Sequence, residues 1–221
     1  FGGAEKHVLT LLNNLDKEKF NLSLVYLKKD VTLKNQLDTK CLDVFLCCDI
    51  QSKIDLPAIK NIAKCIDQFD IDILVSTNTY PMIYSFFAQK IAKKTPEMIE
   101  VFHTTKLLGI KSKLQMILYK PLFKLQQKLI YVCEAQRDYW MERGLKAKTV
   151  LVIHNGIDSE YFVERMTGNA KQELRQQYGI EKDDYVVGIC AALRPEKSHG
   201  DLLQAASYLI NKGYSVKVLI I

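Results

Sequence analysis

The chain has 221 residues, 48% hydrophobic and 25% charged, with a formal net charge of +6. That length admits one large or two small domains, and the apolar content is ample for a packed core. No apolar run reaches the roughly 20 residues that a membrane span requires, so no spanning helix is expected.

The chain opens on Phe1 rather than Met and is expected to be a piece of a longer protein or a processed product. Cys41, Cys47, Cys48, Cys65, Cys133 and Cys190 form no CxxC pair and no regular framework. Most lie in apolar segments, which points to free thiols in a reducing cytosol and a cytoplasmic location. His7, His103, His154 and His199 are scattered without metal-ligand spacing, so neither a metal site nor a cofactor is expected. The charge is uneven. Between Lys106 and Lys128 there are six lysines and no acidic residue, an excess equal to that of the whole chain. Such a patch can face nucleic acid, a membrane surface or an acidic ligand. Nucleic acid ranks last, because no Arg-rich or repeated aromatic pattern accompanies it.

Strand-like and helix-like segments alternate along the chain. Glu5 to Leu15 reads as a helix, entered through Gly2-Gly3. Leu22 to Leu27 and Leu42 to Leu46 read as strands, and Ala58 to Phe69 as a helix with apolar Ile59, Ile62, Ala63, Ile66 and Phe69. Ile73 to Ser76 is expected to be a buried strand, and Tyr80 to Ala92 a helix with Pro81 at its entry. Met98 to Phe102 is a strand, 112–127 a long helix, and Leu129 to Val132 a strand. Ala135 to Arg143 is a helix ended by Gly144, and Thr149 to Ile153 a strand. Continuous apolar strands between helices imply parallel sheets covered on both faces.

After Ile153 the pattern changes. Residues 1–153 are expected to form one Rossmann-like domain, 154–183 a joining segment, and 184–221 the start of a second domain. That second unit offers strand, helix and strand only, too little for an independent parallel sheet, so it is expected to be truncated. The first unit is expected to lack its first strand.

Five places could carry chemistry. An apolar run ends at Arg194-Pro195-Glu196-Lys197-Ser198-His199, followed by an amphipathic helix. This sets two cations beside a helix N-terminus, where free N–H groups already favour an anion; the alternative is a loop with two solvated charges. Gly2 and Gly3 open a helix, either to let a ligand approach the backbone or to satisfy a turn. His103 follows an apolar strand and precedes Thr104-Thr105, at the end where open α/β sheets bind ligands; the alternative is a structural histidine. Asn155-Gly156 makes a tight turn first and lines a cleft second. The basic helix has two apolar stripes. Leu114, Ile117, Leu118, Pro121, Leu122 and Leu125 are expected to pack on the sheet. Met116, Tyr119 and Phe123, edged by Lys113, Lys120 and Lys124, are expected to meet an anionic membrane or another part of the protein. Tyr80, Glu134 and Trp140 are read as packing and capping residues.

Taken together, Gly2-Gly3-Ala4-Glu5, the strand ending at His103, Val132-Cys133-Glu134, Val152 to Asp158 with Phe162, and Gly188 to His199 followed by Asp201 to Ala206 resemble glycosyltransferase family 4, retaining enzymes of the GT-B fold. The resemblance implies two Rossmann-like domains with parallel sheets and a nucleotide-diphosphate sugar, UDP- or GDP-linked, as donor. The acceptor would be lipid-linked or another glycan. It implies that Arg194 and Lys197 bind the donor diphosphate without a metal, that His103 lies near the transferred sugar, and that Gly2, Gly3, Asn155 and Gly156 line the cleft. Two departures stand out: Ala192 occupies a position where many members carry arginine, and the glutamate pair spaced eight apart is absent from these residues, so the piece alone is expected to be inactive. A non-catalytic GT-B module and a sugar-nucleotide epimerase-like enzyme are the competing readings. The latter usually relies on carboxylate and histidine pairs, which do not stand out here.

Overall fold

The computed structural model describes residues 2–29, 35–104, 107, 109–157, 159–160 and 167–221. Thr105, Lys106, Asp158 and Phe162, named above, lie outside the described residues. The chain divides into two units, Phe1–Ile157 and Asp158–Ile221. The division falls inside the segment expected to join two domains.

In the first unit, helix α1 (Gly3–Asn14) precedes strands β1 (Ser23–Tyr26) and β2 (Val44–Cys47), which pair in parallel. Helix α2 (Leu56–Gln68) starts where Asp55 accepts a hydrogen bond from the Ala58 N–H at 3.0 Å, which satisfies one of the donors left free at a helix start. Its apolar positions at helical spacing, Ile59, Ile62, Ala63 and Ile66, are all buried.

The main sheet follows: β3 (Ile73–Thr77), α3 (Thr79–Ile91), β4 (Glu97–Phe102), α4 (Ile110–Lys124), β5 (Lys128–Tyr131), α5 (Glu134–Glu142) and β6 (Thr149–Val152). The strands run parallel in the order β3-β4-β5-β6. β3 departs from the expectation of a buried strand. It lies at one edge of this sheet, β1 and β2 form a separate sheet, and Ile73 and Val75 are exposed.

One core cluster of this unit is rich in aromatic rings, while the cluster around α2 is mainly aliphatic. Phe102 on β4 meets Phe123 and Trp140 edge-on, with ring centroids 5.3 Å apart in each pair, and Tyr131 at 6.4 Å. Edge-to-face pairs of this kind add about 0.5–1.5 kcal/mol each beyond their buried area. This packing corrects the reading of the basic helix α4. Met116 is 5% exposed and Phe123 fully buried, while Tyr119 packs half-buried against the same cluster. The stripe expected at a membrane is therefore the inward face. Leu114, Ile117, Leu118 and Leu125, expected against the sheet, face outward and are exposed. The larger rings of Tyr119 and Phe123, with flexible Met116, fill the space beside Phe102; the aliphatic stripe offers no aromatic partner there.

The second unit holds α6 (Gly168–Gln177), β7 (Tyr185–Ile189), α7 (His199–Asn211) and β8 (Val216–Ile220). β7 and β8 pair in parallel, Tyr185 opposite Val216 through Ile189 opposite Ile220. Thr167 caps α6 through Ala170 N–H at 3.4 Å. Arg175 of α6 donates to the carbonyls of Glu181 and Asp184 at 2.5 and 3.0 Å, tying the helix to the approach of β7. Asp184 accepts from the Ser215 hydroxyl, and that bond holds its carboxyl below the ordinary range.

Candidate functional site

Four parallel strands end side by side, and each is followed by a polar residue at its carboxyl edge. In spatial order these are Asn78, His103, Glu134 and His154, after β3, β4, β5 and β6. Open α/β sheets place ligands at this edge.

His103 is held from three sides. Its N–H donates to the Asn78 side-chain carbonyl at 3.0 Å. The carbonyl before it, on Phe102, accepts from the Gln136 amide at 2.7 Å. The carbonyl after it, on Thr104, accepts from Gln136 at 3.1 Å and from the Trp140 indole at 2.7 Å. Gln136 also accepts the Val132 N–H at 2.9 Å, so one buried amide joins the exits of β4 and β5. Trp140, expected to pack, packs and also positions this loop.

The imidazole of His103 stacks obliquely on that of His7, centroids 5.2 Å apart and planes at 57°. His7 lies on α1 one turn past Gly2 and Gly3, so the structure brings the glycine-rich entry and the strand-end histidine together. Partial burial lowers the pKa of both rings; His7 adds to the lowering at His103, and Glu5 opposes it. The Nε2 of His103 is buried and has no hydrogen-bond partner. Gly2 is in extended backbone, which any residue adopts, and its N–H donates to the Glu5 carboxylate at 2.9 Å. A Cβ at Gly2 would press on that carboxylate at 3.2 Å, whereas one at Gly3 would meet nothing within 4 Å. Space at Gly3, rather than a positive φ, is what its glycine leaves open.

Glu134 at the start of α5 pairs with His154 Nε2 at 3.0 Å. Its own backbone N–H and then His154 hold its carboxyl below the ordinary range. This contact braces the turn at Asn155 and Gly156, both exposed. Two residues escaped the sequence reading. His7 was one of four scattered histidines with no local pattern. Asn78 was a polar residue after β3, and its signal is backbone conformation, with φ 69° and ψ 169°, invisible in composition.

In the second unit, Arg194 caps a short turn of tight helix, Pro195–Lys197, whose last N–H returns to the Arg194 carbonyl at 2.9 Å. Ser198 then takes φ 52°, ψ 37° and opens α7. Arg194, Ser198, His199, Gly200 and Asp201 line an open recess of about 470 Å³. Lys197 stands on the exposed side of the same turn. His199 turns a buried Nε2 with no partner. Two exposed cations thus flank the N-terminus of a 13-residue helix, a setting that attracts an anion. Among the described residues, no group of three or more His, Cys, Asp or Glu side chains is placed to hold a metal ion.

Both units are α/β with parallel strands. The fold matches a crystal structure of a glycosyltransferase from Rickettsia africae ESF-5, TM-score 0.74 at 18% identity, over 99% of this chain and 56% of that one. That is the GT-B architecture expected from the motifs. The Glycosyltransferase Family 4 model matches residues 1–161, and the chain belongs to that family. It is 23% identical over 225 residues to the putative glycosyltransferase EpsF of Bacillus subtilis (strain 168). That alignment takes in 99% of this chain and 58% of EpsF, so the chain spans little more than half of its relatives. A weaker likeness, TM-score 0.47 at 12% identity over 98% of this chain and 59% of that one, is to a UDP-N-acetylglucosamine 2-epimerase from Rickettsia bellii.

Proposed function

We propose that the protein containing this chain transfers a sugar from a nucleotide-diphosphate donor, UDP- or GDP-linked, to a lipid-linked or other glycan acceptor at the cytoplasmic face of the membrane. Anomeric configuration is retained, and no metal is required. The single observation that carries the reading is the Arg194–Lys197 turn at the N-terminus of α7, set in a recess. As the sugar–phosphate bond breaks, negative charge grows on the departing diphosphate. Arg194, which stands 4.0 Å from Glu196 in this structure, and Lys197 would turn to that charge, and the free N–H groups at the start of α7 would add to its stabilisation. The acceptor hydroxyl attacks from the face the diphosphate leaves, so no protein nucleophile is needed. On the acceptor side, His103 and His7 present largely neutral imidazoles in a loop fixed by Asn78, Gln136 and Trp140, which suits hydrogen bonding to sugar hydroxyls.

The test is calorimetric titration of the full-length protein with UDP and with GDP, in wild type and in Lys197→Ala. One nucleotide binds, and Lys197→Ala weakens it by about 10- to 100-fold, the range for one charge-assisted hydrogen bond. Failure of both nucleotides to bind, or equal affinity in the variant, overturns the donor assignment. Turnover unchanged by EDTA checks the metal-free step.

A further inference from the structure

Asn155-Gly156 is the one Asn-Gly pair in the chain, and the fold leaves it unheld. The last backbone bond at the exit of β6 runs from the Ile153 N–H to the Tyr131 carbonyl at 2.9 Å. His154 is then tied by its ring to Glu134 at 3.0 Å. Beyond it, Asn155 and Gly156 are exposed and lie outside helix and strand. Neither makes a hydrogen bond, through backbone or side chain, among the described residues. Other asparagines are placed differently. Asn13 and Asn14 donate their side-chain amides to the Gln36 and Thr10 carbonyls at 3.1 and 2.8 Å, and Asn78 accepts the His103 N–H. Asn61 and Asn211 lie in α2 and α7. Asn21 is exposed outside helix and strand, but Leu22 follows it, and a side chain there crowds the backbone nitrogen.

The chemistry of such a pair follows from proximity. The Gly156 nitrogen is tethered within ring-closing reach of the Asn155 side-chain carbon Cγ, and a tethered attack replaces a far slower bimolecular one. Glycine helps twice, because no Cβ shields the nitrogen and the backbone can swing widely into the attacking geometry. An N–H without an acceptor can give up its proton to solvent. An amide without partners can turn Cγ toward that nitrogen and break no hydrogen bond in doing so.

We propose that Asn155 is a site of spontaneous covalent modification, deamidation, which converts the chain with age to an aspartyl or isoaspartyl form. The Gly156 nitrogen forms a bond to Asn155 Cγ. The bond from Cγ to the side-chain nitrogen breaks, and that nitrogen leaves as ammonia, carrying the proton that Gly156 lost. Water then opens the succinimide ring. Opening at Cγ leaves an ordinary aspartate, and opening at the backbone carbonyl leaves isoaspartate, with one more carbon in the backbone. Either product sets a carboxylate beside the Glu134–His154 pair at the exit of β6. The inference goes beyond the transfer reading and is independent of it, because water is the only co-reactant and neither donor nor acceptor takes part.

The experiment is ageing of the full-length protein at physiological temperature, at neutral and at mildly alkaline pH, followed by tryptic digestion and mass spectrometry. The peptide 149–165 gains the mass of an amide exchanged for an acid, faster at the higher pH, while the peptide bearing Asn21 does not. Methyl transfer from S-adenosylmethionine by an isoaspartyl methyltransferase reports the isoaspartyl share. Gly156→Ala slows conversion by roughly tenfold or more, equivalent to about 1.4 kcal/mol on the barrier. Its added Cβ meets nothing within 4 Å, so circular dichroism is unchanged and the slowing is not misfolding. The same protein unfolded in guanidinium converts at a rate within about tenfold of the folded one. No conversion at position 155, or conversion of Gly156→Ala at the wild-type rate, overturns the proposal. So does a folded rate more than about tenfold below the unfolded one; the fold then holds the pair by more than about 1.4 kcal/mol.

Discussion

Gln136→Met tests whether the loop bearing His103 is held from α5. Gln136 is fully buried, and Met is close to it in length and volume, so a cavity contributes little. The change strips the Val132 N–H of its acceptor and the Phe102 carbonyl of its Gln136 donor. The Thr104 carbonyl keeps the Trp140 indole and adds nothing to the cost. Two buried polar groups left unpaired, at about 1–3 kcal/mol each, give a loss of roughly 2–6 kcal/mol. For a chain of this size each kcal/mol lowers Tm by about 2–4 °C, so Tm falls by roughly 5–20 °C. Urea unfolding followed by tryptophan fluorescence suits the measurement, because the one tryptophan, Trp140, packs on Phe102 beside the altered bonds. A loss below about 1 kcal/mol refutes the reasoning and means that the exits of β4 and β5 are held by the sheet alone.

Three further outcomes are expected. Glu100, fully buried with neither carboxylate oxygen partnered, has its carboxyl pushed well above the ordinary range by burial. The folded state keeps a proton there that the unfolded chain releases near pH 4.5. Stability is therefore lost as pH rises above that value, at up to about 1.4 kcal/mol per pH unit until the folded group also ionises. Glu100→Gln removes this slope from urea midpoints measured between pH 4 and 8 (roughly the span of ordinary carboxyl and imidazole titration), and an unchanged profile contradicts the assignment. For His7 and His103 the sign is opposite: the unfolded chain takes up protons near 6.5 that the folded rings resist, so their contribution to stability is lost as pH falls below 6.5. Imidazole NMR titrations place both midpoints below 6.5, and His7→Phe moves that of His103 upward; a downward move rules out the pairing. Finally, alkylation reaches exposed Cys190 well before Cys48, whose thiol burial pushes up to about 11. Equal rates would contradict the burial of Cys48.

Much of the fold was legible because its strands are short apolar runs between amphipathic helices. Ile59, Ile62, Ala63 and Ile66 on α2, for instance, face the core as their spacing requires. The orientation of α4 was not legible. Its sequence carries two apolar stripes on opposite sides, and periodicity reveals both without saying which turns inward. The choice comes from ring packing against Phe102, Tyr131 and Trp140, residues distant in sequence. The exposed edge of β3 escaped for a similar reason, because a run such as Ile73-Leu74-Val75 reads the same with or without a neighbouring strand. The placing of His103 after β4 in the first unit, and of Arg194 and Lys197 after β7 in the second, was legible from the apolar runs that precede them. His7 and Asn78 were not, since one becomes visible through a ring contact made across the fold and the other through a backbone angle.

The angle at Asn78 restricts what can stand there. Its φ of 69° lies where a Cβ is normally unwelcome, at a cost of order 1–3 kcal/mol. Glycine would relax the backbone and abandon the N–H of His103; a longer side chain would keep a polar group within range and strain the chain further. Asn78 thus meets two demands that pull toward different residues. A compact carbonyl at a positive φ leaves asparagine and aspartate as the candidates, and aspartate would add a negative charge beside the loop bearing His103. This single position acts as a filter on sequence drift, coupling the turn after β3 to the site after β4 before any ligand arrives.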